Sequence, residues 1–248
     1  MNEEHGVQEA VREDVQELSA VQRIMGMYFS PRRTFEYLRE KPKWLVPFIL
    51  ICLVAMVSNF LAKDIAIQEQ KERVLMSDRI PDEQKDAIIE RIESSASGPQ
   101  AYIQHAATPV VIFIILSVVA AIFLFFGNML FGGQASFRQM LSMYAHAGVI
   151  ALPAAIVKVP LMLSQQSLRV YTNLAILLPA DAEQTFLHRL LSKFDLFTIW
   201  EVVLLIIGIS AIYRFSTGKA STIVLILWAL WIVLSVTLGG FLRGFGLA

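Results

Sequence analysis

Residues that support catalysis or metal binding are scarce in this sequence. It has one cysteine, Cys52, which lies inside an apolar run, so no internal disulfide can form. The four histidines are scattered, and the sequence has neither an H-E-x-x-H motif nor a Cys/His cluster of the kind that binds zinc. The G-x-S-x-G and G-x-x-x-x-G-K-[ST] motifs are also missing. We therefore expect no enzyme, no cofactor and no metal.

Charge of either sign is also scarce. Only 17% of the residues are charged, whereas about a quarter are charged in a typical soluble domain. The 21 basic and 21 acidic residues cancel, so the sequence offers no polycationic surface for nucleic acid. Hydrophobic residues make up 56% of the chain. This composition is typical of a membrane protein.

The N-terminal stretch lacks the apolar core of a secretory signal. Its first 19 residues are rich in acidic side chains, whereas a signal peptide starts basic and quickly turns apolar. The first apolar run begins only at Trp44. We expect this run to be a retained signal-anchor helix.

Five apolar runs are long enough to cross a bilayer, whose hydrocarbon layer of about 30 Å requires about 20 residues of helix. They are continuously apolar rather than alternating, which excludes barrel strands. The predicted fold is an all-α integral membrane protein: N-terminal amphipathic helices in residues 1–43, a bundle of five transmembrane helices in residues 44–242 with helical extramembrane loops, and a short tail in residues 243–248. The runs are Trp44–Ala62, Pro109–Phe131, Met140–Leu163, Phe197–Phe215 and Ile223–Leu242.

Basic residues are concentrated before the first run, and the nearest ones beyond it are Lys63 and Lys71. The positive-inside rule then places the N-terminus in the cytoplasm of a bacterial host. The short connections Gly132–Gln139 and Ser216–Thr222 fall on the same side, and an odd number of spans places the C-terminus on the opposite side. The basic residues before the first run are Arg32, Arg33, Arg39, Lys41 and Lys43.

Two amphipathic helices are predicted before the first span. One covers Val7–Phe29, and the other begins at Ser30 and Pro31, where serine caps a helix and proline suits its first turn. The second helix places apolar residues on one side and arginines around them, so we expect it to lie on the membrane surface. The alternative is a solvated lead-in to the first span. The residues assigned to this surface helix are Arg32, Arg33, Phe35, Leu38 and Arg39.

Two ionisable residues fall well inside the predicted spans. Lys158 lies five residues before the outer end of the third run, and Glu201 lies four residues after the outer start of the fourth. Neighbouring antiparallel helices would bring them to similar depth, and pairing is the least costly arrangement for buried charges. We expect an intramembrane ion pair that fixes helix register. The alternatives are a proton or substrate site, or a lysine whose side chain reaches outward to the interface.

Three other polar residues lie within or beside the spans. Asn59, Asn128 and His146 are predicted to form hydrogen bonds in helix packing rather than to bind a ligand.

Three segments of the sequence carry a family resemblance through their order and spacing: Tyr28–Phe35 with Lys41–Trp44, Phe131–Leu141 with Tyr144, Ala145 and Pro153, and Phe194–Trp200 with Gly208, Thr217–Ala220 and Trp228. Together they resemble bacterial members of the Yip-one domain family (Ypt-interacting proteins). The resemblance implies five helices, a cytoplasmic N-terminus and a C-terminus across the membrane. Eukaryotic relatives bind prenylated Rab-type GTPases, but their Asp-Leu-Tyr-Gly-Pro stretch has its nearest match in Asp195-Leu196-Phe197, which leaves GTPase binding doubtful.

These observations favour a non-enzymatic membrane scaffold or adaptor. Its expected partners are the lipid bilayer and either other membrane proteins or further copies of the chain, and its expected location is the bacterial inner membrane. The alternative is a permease or an accessory subunit of a transport system, which would require a continuous polar path through the spans.

Overall fold

The computed structural model describes residues 17–77, 80–179 and 185–244. Within these residues the chain forms ten α-helices, so the predicted all-α class is confirmed. The first ten residues of the predicted helix Val7–Phe29 and the last four of the predicted tail lie outside the described residues. The helices are α1 (Ala20–Phe29), α2 (Pro31–Glu40), α3 (Leu45–Leu75), α4 (Asp82–Ser97), α5 (Pro99–Phe125), α6 (Phe137–Ala147), α7 (Ala151–Gln165), α8 (Phe186–Leu191), α9 (Leu196–Tyr213) and α10 (Thr217–Gly244).

Five helical segments are long and apolar enough to cross a membrane, as the sequence predicted. The first span is longer than the predicted Trp44–Ala62, because α3 continues as a polar helix to Leu75. That extension packs against α4, and Lys71 pairs with Glu93 at 2.6 Å. The segments are α3, Ala106–Leu130, Phe137–Gln165 (α6 with α7), α9 and Thr217–Leu238.

The third span is divided by a proline. Pro153 has no N–H to offer the carbonyl of Val149 four residues earlier, and a 3₁₀ turn at Gly148–Ile150 separates α6 from α7. The freed Val149 carbonyl oxygen accepts a hydrogen bond from the hydroxyl of Tyr28 at 2.8 Å. A break in one span therefore provides the anchor for a residue of α1.

Helix α9 is the centre of the bundle. Of its residues, 56% are buried, against 11–22% in the other four spans. It packs against α2, α6 and α10. Most residues of the remaining spans are partly or fully exposed, which is the expected arrangement for helices that face lipid.

Helices α1 and α2 form an N-terminal hairpin that packs against α6 and α9 rather than lying apart from the bundle. Phe35 and Leu38 are completely buried in protein, so the prediction that they contact lipid from a surface helix is wrong. Gly208 of α9 leaves the space that this packing uses: a Cβ there would lie 2.7 Å from Met143 Cγ and 3.3 Å from Phe35 Cε1. The apolar side of α2 therefore packs against protein and not against lipid.

The connection before α9 is less helical than predicted. Between Gln165 and α9, the described residues contain a 3₁₀ turn at Leu174–Leu177 and the six-residue α8. Thr185 caps α8 by accepting from the N–H of His188. Backbone hydrogen bonds between Thr172–Leu174 and Phe194–Leu196 hold this connection against the start of α9.

The buried position of Phe35 yields a stability prediction. Phe35→Ala removes a fully enclosed ring and should lower the free energy of unfolding by about 3–5 kcal/mol. Phe29→Ala in the same hairpin removes a ring that is 79% exposed and should cost less than about 0.5 kcal/mol. Reversible unfolding in mixed micelles measures both. Equal losses would contradict the buried placement of α2.

Candidate functional site

Three separate parts of the chain meet at one end of the bundle, which we call the basic end: the end of α2, the loop between α5 and α6, and the turn between α9 and α10. Lys219 donates from Nζ to the carbonyl oxygen of Phe131 at 2.7 Å, and its Nζ lies 3.9 Å from the centroid of the Phe215 ring. These contacts join the two connections. The cationic residues at this end include Arg39, Arg138, Arg214 and Lys219.

Two glycines make room for Tyr213 at the basic end. A Cβ at Gly127 or Gly133 would overlap the Tyr213 ring, so only glycine fits at either position. The ring also stacks on Phe215, with centroids 5.0 Å apart and planes 11° apart. Tyr213 therefore fixes the loop after α5 against the end of α9.

Arg39 connects α2 to two spans. Its Nη1 donates to the carbonyl oxygen of Ala211 at 2.9 Å, and its own carbonyl oxygen accepts from Gln139 Nε2 at 2.6 Å. The Ala211 carbonyl belongs to the last turn of α9, where helical acceptors lack N–H partners from their own helix. Arg39 thus provides a hydrogen-bond donor for a backbone carbonyl at the end of α9.

A cleft of about 320 Å³ opens between these elements. Glu40 lies at its edge between two cations, 2.8 Å from Arg39 Nε and 3.9 Å from Arg214 Nη2. Arg214 is 74% exposed and sits in the left-handed region at φ 56°, which turns the chain from α9 into the turn before α10. The cleft therefore presents charged side chains on a frame fixed by the buried contacts below it. Its lining residues include Arg39, Glu40, Gly132, Gln134, Gln139 and Arg214.

A second polar group is buried where the N-terminal hairpin meets the spans. Arg23 is only 5% exposed, and it donates to the carbonyl oxygen of Leu18 and lies over the Tyr37 ring, with 6.0 Å from Cζ to the centroid. His146 is fully buried, and its Nδ1 forms a hydrogen bond of 2.8 Å with the carbonyl oxygen of Ser142. Arg23 Nε, Tyr37 Oη and His146 Nε2 have no hydrogen-bond partner among the described residues.

At the opposite end of the bundle, Lys158 forms an ion pair, but not with the predicted partner. Its Nζ lies 3.0 Å from Oδ2 of Asp195, and within the described residues no ion pair joins it to Glu201. Asp195 is 8% exposed in its side chain and also accepts from Thr172 Oγ1 and from the N–H of Phe197. The prediction of a Lys158–Glu201 pair is wrong, because α9 begins with a capping carboxylate that the lysine reaches first.

The environment of Asp195 favours its charged form. Burial raises the pKa of this carboxyl, but hydrogen bonds from Thr172 and Lys158, the charge of Lys158 and the N–H of Phe197 lower it by more. The net pKa lies below its ordinary value. The pair therefore ties α7, the following connection and the start of α9 together in the charged state.

The three predicted packing residues have different environments. Asn128 exchanges two hydrogen bonds with the backbone of Ala135, at 3.0 and 3.1 Å, and so closes the loop after α5 rather than joining two helices. The hydrogen bond of His146 stays within its own helix. Asn59 is exposed and makes no hydrogen bond among the described residues, so its role in helix packing stays a prediction.

The arginines of the predicted surface helix also have different environments. Arg32 and Arg33 are exposed, and Arg32 donates to Glu36 at 3.1 Å, whereas Arg39 is directed into the basic end. Sequence reasoning missed Arg23, Asp195 and Thr172 as interacting residues. The position of Asp195 directly before an apolar run is a helix-cap pattern that could have indicated it.

The fold and these contacts define the chain as an integral membrane protein with five membrane-spanning helical segments and an N-terminal hairpin packed against the bundle. The model of the Yip1 domain family matches residues 25–238, most of the chain, and the protein belongs to this family. Comparisons with curated proteins and with solved structures found no match.

The Lys158–Asp195 pair can be measured by a double-mutant cycle. Lys158→Met and Asp195→Asn should each lower the free energy of unfolding by about 2 kcal/mol, and together they should cost clearly less than the sum. Lys158→Met with Glu201→Gln should instead add within about 0.5 kcal/mol. Additive losses for Lys158 and Asp195 would exclude the pair.

Acid should weaken the same contact. Because the folded-state pKa of Asp195 is depressed, its contribution to stability is present above about pH 4, the ordinary carboxyl range. It is lost as the pH falls through the folded-state value. Unfolding measured from pH 6 to pH 3 should therefore show a steeper loss for the parent protein than for Asp195→Asn.

Proposed function

We propose that this protein is a non-enzymatic membrane scaffold or adaptor whose basic end holds a partner protein. The observation that carries the proposal is the cleft between Arg39, Glu40 and Arg214. Its walls are fixed by Tyr213, Lys219 and Gln139, while Arg214 and Glu40 remain available to a partner. A rigid frame with exposed charges is suited to recognition of a protein surface.

The polar contacts within the bundle support the same function. Lys158 and Lys219 connect elements of the bundle to one another, through Asp195 and Phe131 respectively, and Asn128 closes the loop after α5. Such contacts hold helices in place. A transport path would instead require polar groups that remain available to a solute at successive depths.

We further propose that the basic end faces the cytoplasm of a bacterial inner membrane. It gathers Lys43, Arg138, Arg214 and Lys219, and the positive-inside rule assigns such an end to the cytoplasm. The C-terminus then lies on the opposite side of the membrane.

A permease or transport subunit is the second candidate. It is favoured by buried polar atoms on Arg23, Tyr37 and His146 that have no hydrogen-bond partner within the part of the chain that the structure describes, because unpaired buried groups are a common feature of ion and substrate sites.

Site-specific photocrosslinking in cells tests the scaffold proposal. A photoreactive residue in place of exposed Gln134, at the cleft, should give a discrete adduct, whereas one in place of Leu234, which is exposed on the apolar side of α10, should not. Arg214→Glu should lower the yield of the Gln134 adduct at least tenfold. Arg91→Glu on α4, which makes the same charge change away from the cleft, should leave the yield unchanged. No adduct, together with solute uptake by the purified protein in vesicles, would favour the permease.

Labelling of single cysteines tests the orientation. In a Cys52→Ser background, cysteines at Ser19, beside the basic end, and at Gly98, between α4 and α5, should react with an impermeant thiol reagent from opposite sides of the membrane. Ser19 should react only after the cells are opened. Reaction of both positions in intact cells would contradict the five-span topology.

A further inference from the structure

Helix α1 has an inverted distribution of polar and apolar side chains. Its one charged residue, Arg23, is buried, while Val21, Met25 and Phe29 are 71%, 48% and 79% exposed. These three residues are spaced four apart and so form a single stripe along the outer side of the helix. A helix in water would present the opposite pattern. The outer side of α1 is therefore suited to an apolar medium.

The stripe is continuous with the outer surface of the bundle. Tyr28, beside Phe29, donates to the Val149 carbonyl and makes an edge-to-face contact with Trp200, with ring centroids 6.0 Å apart. Next to Trp200, the α9 residues Ile199 and Val203 are 43% and 47% exposed. They belong to a membrane-spanning helix, and their exposed sides face acyl chains. The end of α1 thus adjoins the exposed apolar surface of a membrane-spanning helix.

The hairpin reaches along the spans from the basic end. Gln139 of α6 contacts Arg39 at the end of α2, whereas Val149 contacts Tyr28 near the tip of the hairpin. The ten residues between these contact points correspond to about 15 Å of helix. The tip of the hairpin therefore lies level with apolar parts of the third span and not in the solvent beyond it.

The tip also carries groups suited to lipid phosphates. A groove of about 310 Å³ runs between α1 and α2, with Met25 and Phe29 on its apolar side and Arg33 at its edge. Arg32 and Arg33 are both exposed. Long guanidinium side chains can reach headgroup phosphates from a backbone that lies below them.

We propose that the α1–α2 hairpin is a lipid-binding wedge. Val21, Met25 and Phe29 contact the acyl chains of one leaflet at increasing depth from the basic end, and Arg32 and Arg33 extend from the tip back toward the phosphate groups of that leaflet. The occupant of this surface is bilayer phospholipid. This assignment does not depend on the scaffold function, and it reverses the sequence-based expectation, because Phe35 and Leu38 face protein.

Spin labels on single cysteines test the wedge in the full-length protein. In the Cys52→Ser background, labels at Val21, Met25 and Phe29 are compared with a label at Glu36, on the charged side of α2, in vesicles of phosphatidylcholine and phosphatidylglycerol at three to one. Collision with oxygen should exceed collision with a water-soluble nickel chelate at least threefold at the stripe, and the ratio should be reversed at Glu36. Only variants that elute as the parent protein does are compared.

Two results would overturn the proposal. Access of the nickel chelate to the stripe equal to that at Glu36 would place α1 in water. Protection of the stripe from both oxygen and nickel would mean that protein covers it, and spin–spin broadening in the same samples would identify a second copy as the occupant.

A second measurement does not rely on spin labels. Bimane attached at Phe29 should lose at least half of its fluorescence when brominated phosphatidylcholine replaces the ordinary lipid, and bimane at Glu36 should lose less than a tenth. Arg33→Gln with the Phe29 label should lower quenching in brominated phosphatidylglycerol more than in brominated phosphatidylcholine. Quenching at Phe29 no greater than at Glu36 would exclude contact with acyl chains.

Discussion

The packing of α2 against the central span α9 is the contact on which the rest of the structure depends. Phe35 fits beside Gly208, and the side chain and carbonyl of Arg39 bind α9 and α6 at the same time. With α2 in place, α1 folds back against it and against α6, and Tyr28 reaches the third span. The cleft at the basic end and the apolar stripe of α1 both follow from this arrangement.

A second constraint comes from the bilayer, which offers no water to a backbone group without a partner. Several carbonyls at breaks or ends of helices are satisfied by side chains from elsewhere in the chain. Val149 accepts from Tyr28, Ala211 from Arg39, and Phe131 from Lys219. Each bond joins segments far apart in sequence, so the irregular points of the spans are also the points that define the tertiary structure.

Charge within the bundle follows a related logic. Lys158 is stabilised by a carboxylate that already caps α9, and Thr172 completes the shell around that carboxylate. Glu201 lies on the next turn of the same helix and remains outside this network. The difference between the two acids shows why depth along a span is insufficient to assign an ion pair. The direction in which each acid projects from the helix axis, and its position relative to the helix end, decide which carboxylate the lysine reaches.

The sequence by itself determined the membrane class, the number of spans and the family, because each depends on the length and order of apolar runs, which are local properties. Tertiary structure alone decided the partner of Lys158 and the position of α2. An amphipathic helix has the same pattern whether its apolar side meets lipid or protein, and only the space beside Gly208 selects protein for Phe35. The choice of which side of the hairpin faces the bilayer was likewise made by packing, since burial of Arg23 turns Val21, Met25 and Phe29 outward.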